Sequence, residues 1–211
     1  VNVLDNLDNL MRYQQTSALH GKFEGMPGVI VSPGPSLQKN LEILKKIKGK
    51  AIIICVLRVL GTLLQNGIEP DIVIQADPHN LEEMMSERDG QKTTLWKEWI
   101  ERNDFSKVTA FINTMYASPN IFGVPVKNVF WMNPSTPLSE VFPIDIFDYQ
   151  RPGGSVAHAA FDLLVEFGCS SIALVGQDLA YSKNNEVYAD GSNTHARDSK
   201  INDEKFGKEI E

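Results

Sequence analysis

The sequence predicts an α/β protein: a Rossmann-like three-layer sandwich with a mainly parallel sheet of about six strands. Residues 28–32 form a short apolar run, and residues 50–55 form a longer one of the kind that is buried on both faces of a parallel sheet. Segments with helical apolar spacing, such as residues 37–47 and 156–167, separate the runs. This alternation favours parallel pairing through right-handed crossovers.

Composition narrows the class of protein. The 211 residues are 42% hydrophobic and 22% charged, as in a soluble globular domain, and the net charge is −7. That charge argues against nucleic-acid or anionic-membrane partners, which need a positive surface. The sequence has neither an apolar run of membrane-spanning length nor a secretion signal, so we expect a cytoplasmic protein. Cys55 and Cys169 lie far apart and are predicted to be buried free thiols.

Three segments are predicted along the chain. Residues 1–27 form a helical lead-in, with Leu4, Leu7, Leu10 and Met11 on one face of an amphipathic helix. Residues 28–181 form the Rossmann-like domain. Residues 182–211 are polar and predict a lid or a linker, and we expect the chain to be part of a larger protein.

Within the domain, the predicted strands are residues 28–32, 50–55, 71–75, 108–113, 128–132 and 172–176. Between the third and fourth strands, residues 80–103 are polar and predict a helix that is broken near Asp89 and Gly90. Residues 133–152 carry four prolines and predict a long loop.

The stretch at residues 151–181 carries the strongest functional signal. Its Pro-Gly-Gly-Ser turn can present free backbone N–H groups at the start of a helix that Ser155 is placed to cap. A helix N-terminus behind such a turn suits an anion, and phosphate is the favoured one. The strand that follows ends in Gly176, Gln177 and Asp178, which puts a carboxylate where open parallel sheets bind ligands.

Other strand ends join the same predicted edge. They are the loops at residues 33–36, 55–58 and 77–79. Convergence of these loops with the glycine turn predicts a ligand site at the carboxyl edge of the sheet.

Each member of this site also has a simpler interpretation. Ser36 and Asp77 could be helix caps, and Asp178 a turn residue. The glycine loops match neither G-x-G-x-x-G nor a Walker A motif, which disfavours dinucleotide or ordinary P-loop binding. The histidines form no zinc pattern, so no metal site is predicted. His195 becomes a proton acceptor only if the polar tail folds over the site.

With these motifs in place, the chain resembles the MptE-like domain that also occurs in the motility accessory factors, or Maf proteins. The resemblance rests on VIVSPGPSL at residues 29–37, NGIEPDIVIQADP at residues 66–78, and the stretch from Gly153 to Leu179. It implies a sialyltransferase-like glycosyltransferase that places a pseudaminic, legionaminic or sialic acid on flagellin Ser or Thr from a CMP-sugar donor.

The resemblance also implies roles for particular residues. The nucleotide would be bound by Gly34, Pro35, Ser36, Asp77, Gly153, Gly154, Ser155 and Gln177. Asp178 would line the pocket and His195 would be the catalytic base, with Asp178 as a second catalytic candidate. Departure of the phosphate requires N–H donors, and the acceptor hydroxyl requires a base.

Two alternatives stay open. The archaeal MptE branch implies pyrophosphoryl transfer from ATP to 6-hydroxymethyl-dihydropterin. That reaction would need Mg²⁺, which Asp77 and Asp178 could hold; the glycosyltransferase interpretation implies no firm cofactor. The other alternative is a nucleotide-binding module without turnover that acts in flagellar assembly.

Overall fold

The computed structural model of the protein describes residues 2–78, 83, 85–88, 91–134, 149–150, 155–180 and 189. The strands are β1 (Gln14–Gln15), β2 (Pro27–Val31), β3 (Ile52–Val56), β4 (Ile72–Gln75), β5 (Met85–Arg88), β6 (Gln91–Thr94), β7 (Ala110–Thr114), β8 (Asn128–Pro134), β9 (Tyr149–Gln150) and β10 (Ser171–Val175). The α-helices are α1 (Asn2–Asp5), α2 (Leu7–Arg12), α3 (Leu41–Ile47), α4 (Leu60–Gln65), α5 (Leu95–Arg102) and α6 (Val156–Glu166).

A single parallel sheet organises the described residues. Its strand order is β1-β8-β7-β4-β3-β2-β10, with β9 beside the end of β8, and each of these pairs is parallel. Every residue of β3, β4 and β7 is buried, as expected for strands covered on both faces. The predicted fold class is therefore confirmed.

The strand order reverses once, between β2 and β10. From β2 the chain moves through β3, β4, β7 and β8, and then returns to place β10 on the other side of β2. Right-handed crossovers from β2 to β3 and from β3 to β4 put α3 and α4 on one face of the sheet. The crossover that returns to β10 runs in the opposite direction and puts α6 on the other face. Helix α6 packs closely, because a Cβ on Gly28 of β2 would lie 2.8 Å from Leu164 Cδ1. The reversal is the place where sheets of this kind open a ligand crevice.

The N-terminal lead-in differs from the prediction. It forms two short helices and the edge strand β1, and Leu4, Leu7 and Met11 are exposed rather than buried. The inward residues are Val3 and Asn6, and Leu10 is partly buried against the core. The expected apolar face is wrong because the inner side of these helices is used for hydrogen bonding, as described below.

The helix predicted for residues 80–103 is only half correct. Its second part is α5, which buries Trp96 and Trp99. Its first part contains the antiparallel hairpin β5–β6 instead. Asp89 and Gly90 separate these strands in sequence, and an Asp-Gly pair is a preferred two-residue hairpin loop, so the turn chemistry outweighs the polar helical pattern.

Both cysteines are free thiols. Cys55 lies in β3 and is fully buried, while Cys169 is half-buried, and burial raises the pKa of each thiol. The neutral form therefore dominates at physiological pH, which makes them unreactive. Among the described helices, none has the length and apolar character that crossing a bilayer requires.

Candidate functional site

The predicted convergence of strand ends is present. Because β2, β3, β4, β7 and β10 are parallel neighbours, the segments that follow them leave the sheet at one edge. Helix α6 is the crossover helix before β10 and runs antiparallel to the strands. It therefore starts at this edge, next to Ser155. Gly153, Gly154 and His195 lie outside the described residues.

The loops after β2 and β10 are joined directly to each other. The Gly34 N–H donates to the Gly176 carbonyl oxygen at 2.8 Å, and the Ser36 N–H donates to Asp178 Oδ2 at 2.7 Å. Pro35, between them, has no N–H to offer. The resemblance implied that this turn binds the nucleotide, but its two backbone N–H groups are already used by the neighbouring loop.

The two glycines at this junction allow close approach of protein to protein. A Cβ on Gly34 would overlap the Gly176 carbonyl oxygen and lie 2.5 Å from Asp178 Oδ2. Gly176 has φ +71°, and a Cβ there would overlap the Ser32 carbonyl oxygen. The glycines are therefore needed by the loop–loop contact itself.

Asp178 has a clear structural contact. Its Oδ2 accepts from Ser36, so a role as base would fall to Oδ1. Gln177, before it, is half-buried at the edge. Leu179, after it, is 90% exposed and has φ +50°, a conformation that is uncommon for a leucine. The chain returns here at Ala189, whose N–H donates to the Pro33 carbonyl oxygen at 2.6 Å.

Ser155 occupies the predicted N-cap position of α6 without the predicted capping bond. Its backbone is extended, but its side chain bonds no amide of the first turn. Its Oγ instead lies 2.9 Å from His158 Nδ1. The pair places a hydroxyl and an exposed imidazole together at the start of α6.

Asp77 lies in the other half of the edge, after β4, and is half-buried. It is near Tyr116, which follows β7: burial raises the pKa of the Tyr116 phenol, and the negative charge of Asp77 raises it further. Tyr116 is a further residue of this edge, and no motif in the sequence indicates it.

Asp77 and Asp178 do not meet. Three strand spacings, about 14 Å, separate β4 from β10. Asp178 is bonded to Ser36 on the β2 side, whereas Asp77 lies toward Tyr116 on the β7 side. To bind the same Mg²⁺, Asp77 and Asp178 would each have to place a carboxylate oxygen about 2.1 Å from the ion. The described contacts therefore hold these two side chains on different parts of the edge, and Mg²⁺ binding by them stays a prediction.

Asparagines of the lead-in helices hold the loops beyond β4 and β7. Asn2 Nδ2 donates to the carbonyl oxygens of Pro78 at 3.2 Å and Tyr116 at 3.0 Å. Asn6 Nδ2 donates to those of Met115 at 3.0 Å and Ala117 at 2.7 Å. The lead-in thus fixes part of the candidate site, a role that its apolar pattern did not indicate.

We expect Asn6→Ala to lower the free energy of unfolding by about 2–3 kcal/mol, because two buried carbonyl groups lose their donor. Chemical denaturation measures the change. Asn66→Ala is the matched control: its amide makes one half-buried bond to the Thr62 carbonyl oxygen, and its loss should cost about 1 kcal/mol. Equal effects of the two variants would contradict a special role for Asn6.

Several buried polar side chains end the strands at this edge. Ser32 follows β2, and Asn113 and Thr114 end β7. Asn133 is the second-last residue of β8. The Oγ of Ser32 and Thr114, and both amide atoms of Asn113 and Asn133, have no hydrogen-bond partner within the part of the chain that the structure describes. The sequence signal was a polar residue closing each apolar run.

The comparisons with known proteins agree with this architecture. Residues 1–184 match the family model described as "6-hydroxymethylpterin diphosphokinase MptE-like". No curated protein matches the chain. A Maf glycosyltransferase from Magnetospirillum magneticum AMB-1 is a structural neighbour, with a TM-score of 0.65 and 19% sequence identity. The likeness covers 84% of this chain but only 28% of that one, and at this identity it shows a common fold.

Proposed function

We propose that this chain, which belongs to the MptE-like family, binds the donor of a glycosyltransferase, a CMP-activated nonulosonic acid of the pseudaminic, legionaminic or sialic type. The sugar would pass to a Ser or Thr of flagellin. The observation that carries the proposal is the gathering of the predicted loops at one sheet edge, beside the reversal between β2 and β10.

The loop–loop junction changes where the phosphate is expected. Since the Gly34 and Ser36 amides are engaged, the start of α6 is the better donor of N–H groups, with Gly153, Gly154 and Ser155. The 11-residue helix places its positive dipole end there. Gly34, Pro35, Ser36 and Gln177 then line the pocket, and Asp77 lies beside the donor.

Sugar transfer requires two catalytic contributions from the protein. The glycosidic bond to the phosphate breaks with positive charge on the sugar, so the departing phosphate must be stabilised by N–H donors. The acceptor hydroxyl must lose a proton to a base, and we assign that role to His195, with Asp178 as the second candidate.

The family description favours one competing function, a pyrophosphokinase that uses Mg-ATP. In that case Mg²⁺ would bridge the phosphates of ATP, and Asp77 or Asp178 would supply a ligand singly. A nucleotide-binding module without turnover in flagellar assembly is the third possibility.

Calorimetric titration separates these functions. We expect CMP to bind without metal, and Ser155→Ala to raise its Kd about tenfold through loss of a hydroxyl beside the phosphate. Ser170→Ala is the matched control, because its hydroxyl donates to the Gly25 carbonyl oxygen at the opposite edge of the sheet. Binding of ATP that requires Mg²⁺, with no CMP binding, would favour the kinase. CMP binding without sugar transfer or hydrolysis would favour the module.

A further inference from the structure

Three amide side chains form a row on one face of the sheet at its carboxyl edge. Gln75 of β4 is directly paired with Asn113 of β7, and Asn113 with Trp131 of β8. Paired residues of a parallel sheet point to the same face. Asn133 lies two residues beyond Trp131 and therefore shares that face. We call Gln75, Asn113 and Asn133 the amide row.

The amide row is buried and largely unpaired. Relative exposure is 6% for Gln75 and 0% for both asparagines. Asn113 and Asn133 lack a partner for Nδ2 and for Oδ1 within the described ranges of the chain. Gln75 Nε2 makes one long contact, 3.5 Å, to the Asp77 carbonyl oxygen. Buried amides with neither atom satisfied are rare in native proteins, since each is costly, and they call for an explanation.

The chemistry of the row indicates the type of partner. It contains no charged group, and each amide offers both a donor and an acceptor. A phosphate or carboxylate would satisfy the N–H₂ groups but would face the carbonyl oxygens with like charge. A neutral ring that carries donors and acceptors would satisfy both.

The position of the row separates it from the loop–loop junction. Two strand spacings, about 10 Å, lie between β2 and β4, and four, about 19 Å, between β2 and β8. The row therefore meets a different part of a bound nucleotide sugar than Gly34 and Gly176 do.

We propose that the amide row recognises the uncharged ring of the donor, either the nucleobase or the hydroxylated sugar, through paired donor and acceptor hydrogen bonds. This inference rests on the proposed function. Since the asparagines are fully buried, a ring that is bound to them is enclosed away from water.

Asn113→Leu tests the inference, because leucine has similar size and removes both unpaired atoms. We expect the variant to bind the donor at least about tenfold more weakly, while its thermal stability is unchanged or higher. Asn128→Leu is the control: Asn128 starts β8 at the opposite edge, where its amide donates to the Thr109 carbonyl oxygen, and its replacement should leave the Kd unchanged. Should Asn113→Leu fail to fold, Asn133→Leu carries the same test.

Two titrations by calorimetry identify the ring. Weaker binding of CMP by Asn113→Leu assigns the row to the base, and weaker binding of CMP-N-acetylneuraminic acid with unchanged CMP binding assigns it to the sugar. Unchanged affinity for both probes, with raised stability, means that the amides are merely hydrated and overturns the inference alone. If the unmodified chain binds neither probe, the proposed function fails as well.

Discussion

Gly176→Ala is expected to lower the free energy of unfolding by about 3–5 kcal/mol. Two effects add. A residue with a Cβ is strained at φ +71°, which costs about 1 kcal/mol. The same Cβ would overlap the Ser32 carbonyl oxygen and force the β2 and β10 loops apart, which costs about 2–4 kcal/mol. Equilibrium denaturation with urea measures the loss.

Gly67→Ala provides the control for that result. Gly67 also has φ +71°, but a Cβ there would meet nothing within 4 Å, so only the strain of about 1 kcal/mol should remain. The difference between the variants isolates the contact between the loops. Equal losses would show that the loops are not held together as the hydrogen bonds of Gly34 and Ser36 indicate.

Replacement of His195 by alanine is expected to lower kcat for sugar transfer by about 10²–10⁴-fold, the usual contribution of a general base. The physical reason is that an imidazole accepts a proton near neutral pH, where the acceptor hydroxyl must be activated. Release of CMP in the presence of CMP-N-acetylneuraminic acid and flagellin provides the assay.

His158→Asn is the companion variant, since asparagine can keep a hydrogen bond to Ser155 while the imidazole is removed. Transfer by this variant should stay within about threefold of the unmodified chain, because the described contact of His158 is its hydrogen bond to Ser155, which asparagine can keep. A large loss in His158→Asn together with full activity in His195→Ala would move the base to the described part of the site.

The fold was predictable because its signals are local. Apolar runs such as residues 50–55 leave no polar face, which only a sheet covered on both sides tolerates. The end of α4 has a local cause as well, because Gly67 has a positive φ, which glycine adopts readily after a helix. Parallel pairing then placed the strand ends at a common edge with no further information.

The errors came from effects that depend on distant partners. The lead-in buries Asn6, whereas Leu4 and Leu7 are exposed, because carbonyl groups more than 100 residues away accept from Asn6. The hairpin β5–β6 was missed because a polar stretch has little periodicity and its Asp-Gly pair was read as a helix break.

The site was predictable in location but not in contacts. A glycine indicates that something approaches the backbone closely, but not what approaches. At Gly34 it is the Gly176 carbonyl group and the Asp178 carboxylate rather than a ligand. Asn113 and Asn133 carried only the weak signal of a polar strand end, and their lack of partners is visible only in three dimensions.

Nuclear magnetic resonance of the ¹⁵N-labelled chain, titrated with CMP, tests most directly whether the carboxyl edge of the sheet is a nucleotide site. The account predicts that the amide shifts change most at residues 76–77, 155–158 and 176–178, which border that edge. Residues 51, 109 and 128, at the amino ends of the strands, should stay unchanged. Shift changes confined to the amino ends, or none at saturating CMP, would contradict it.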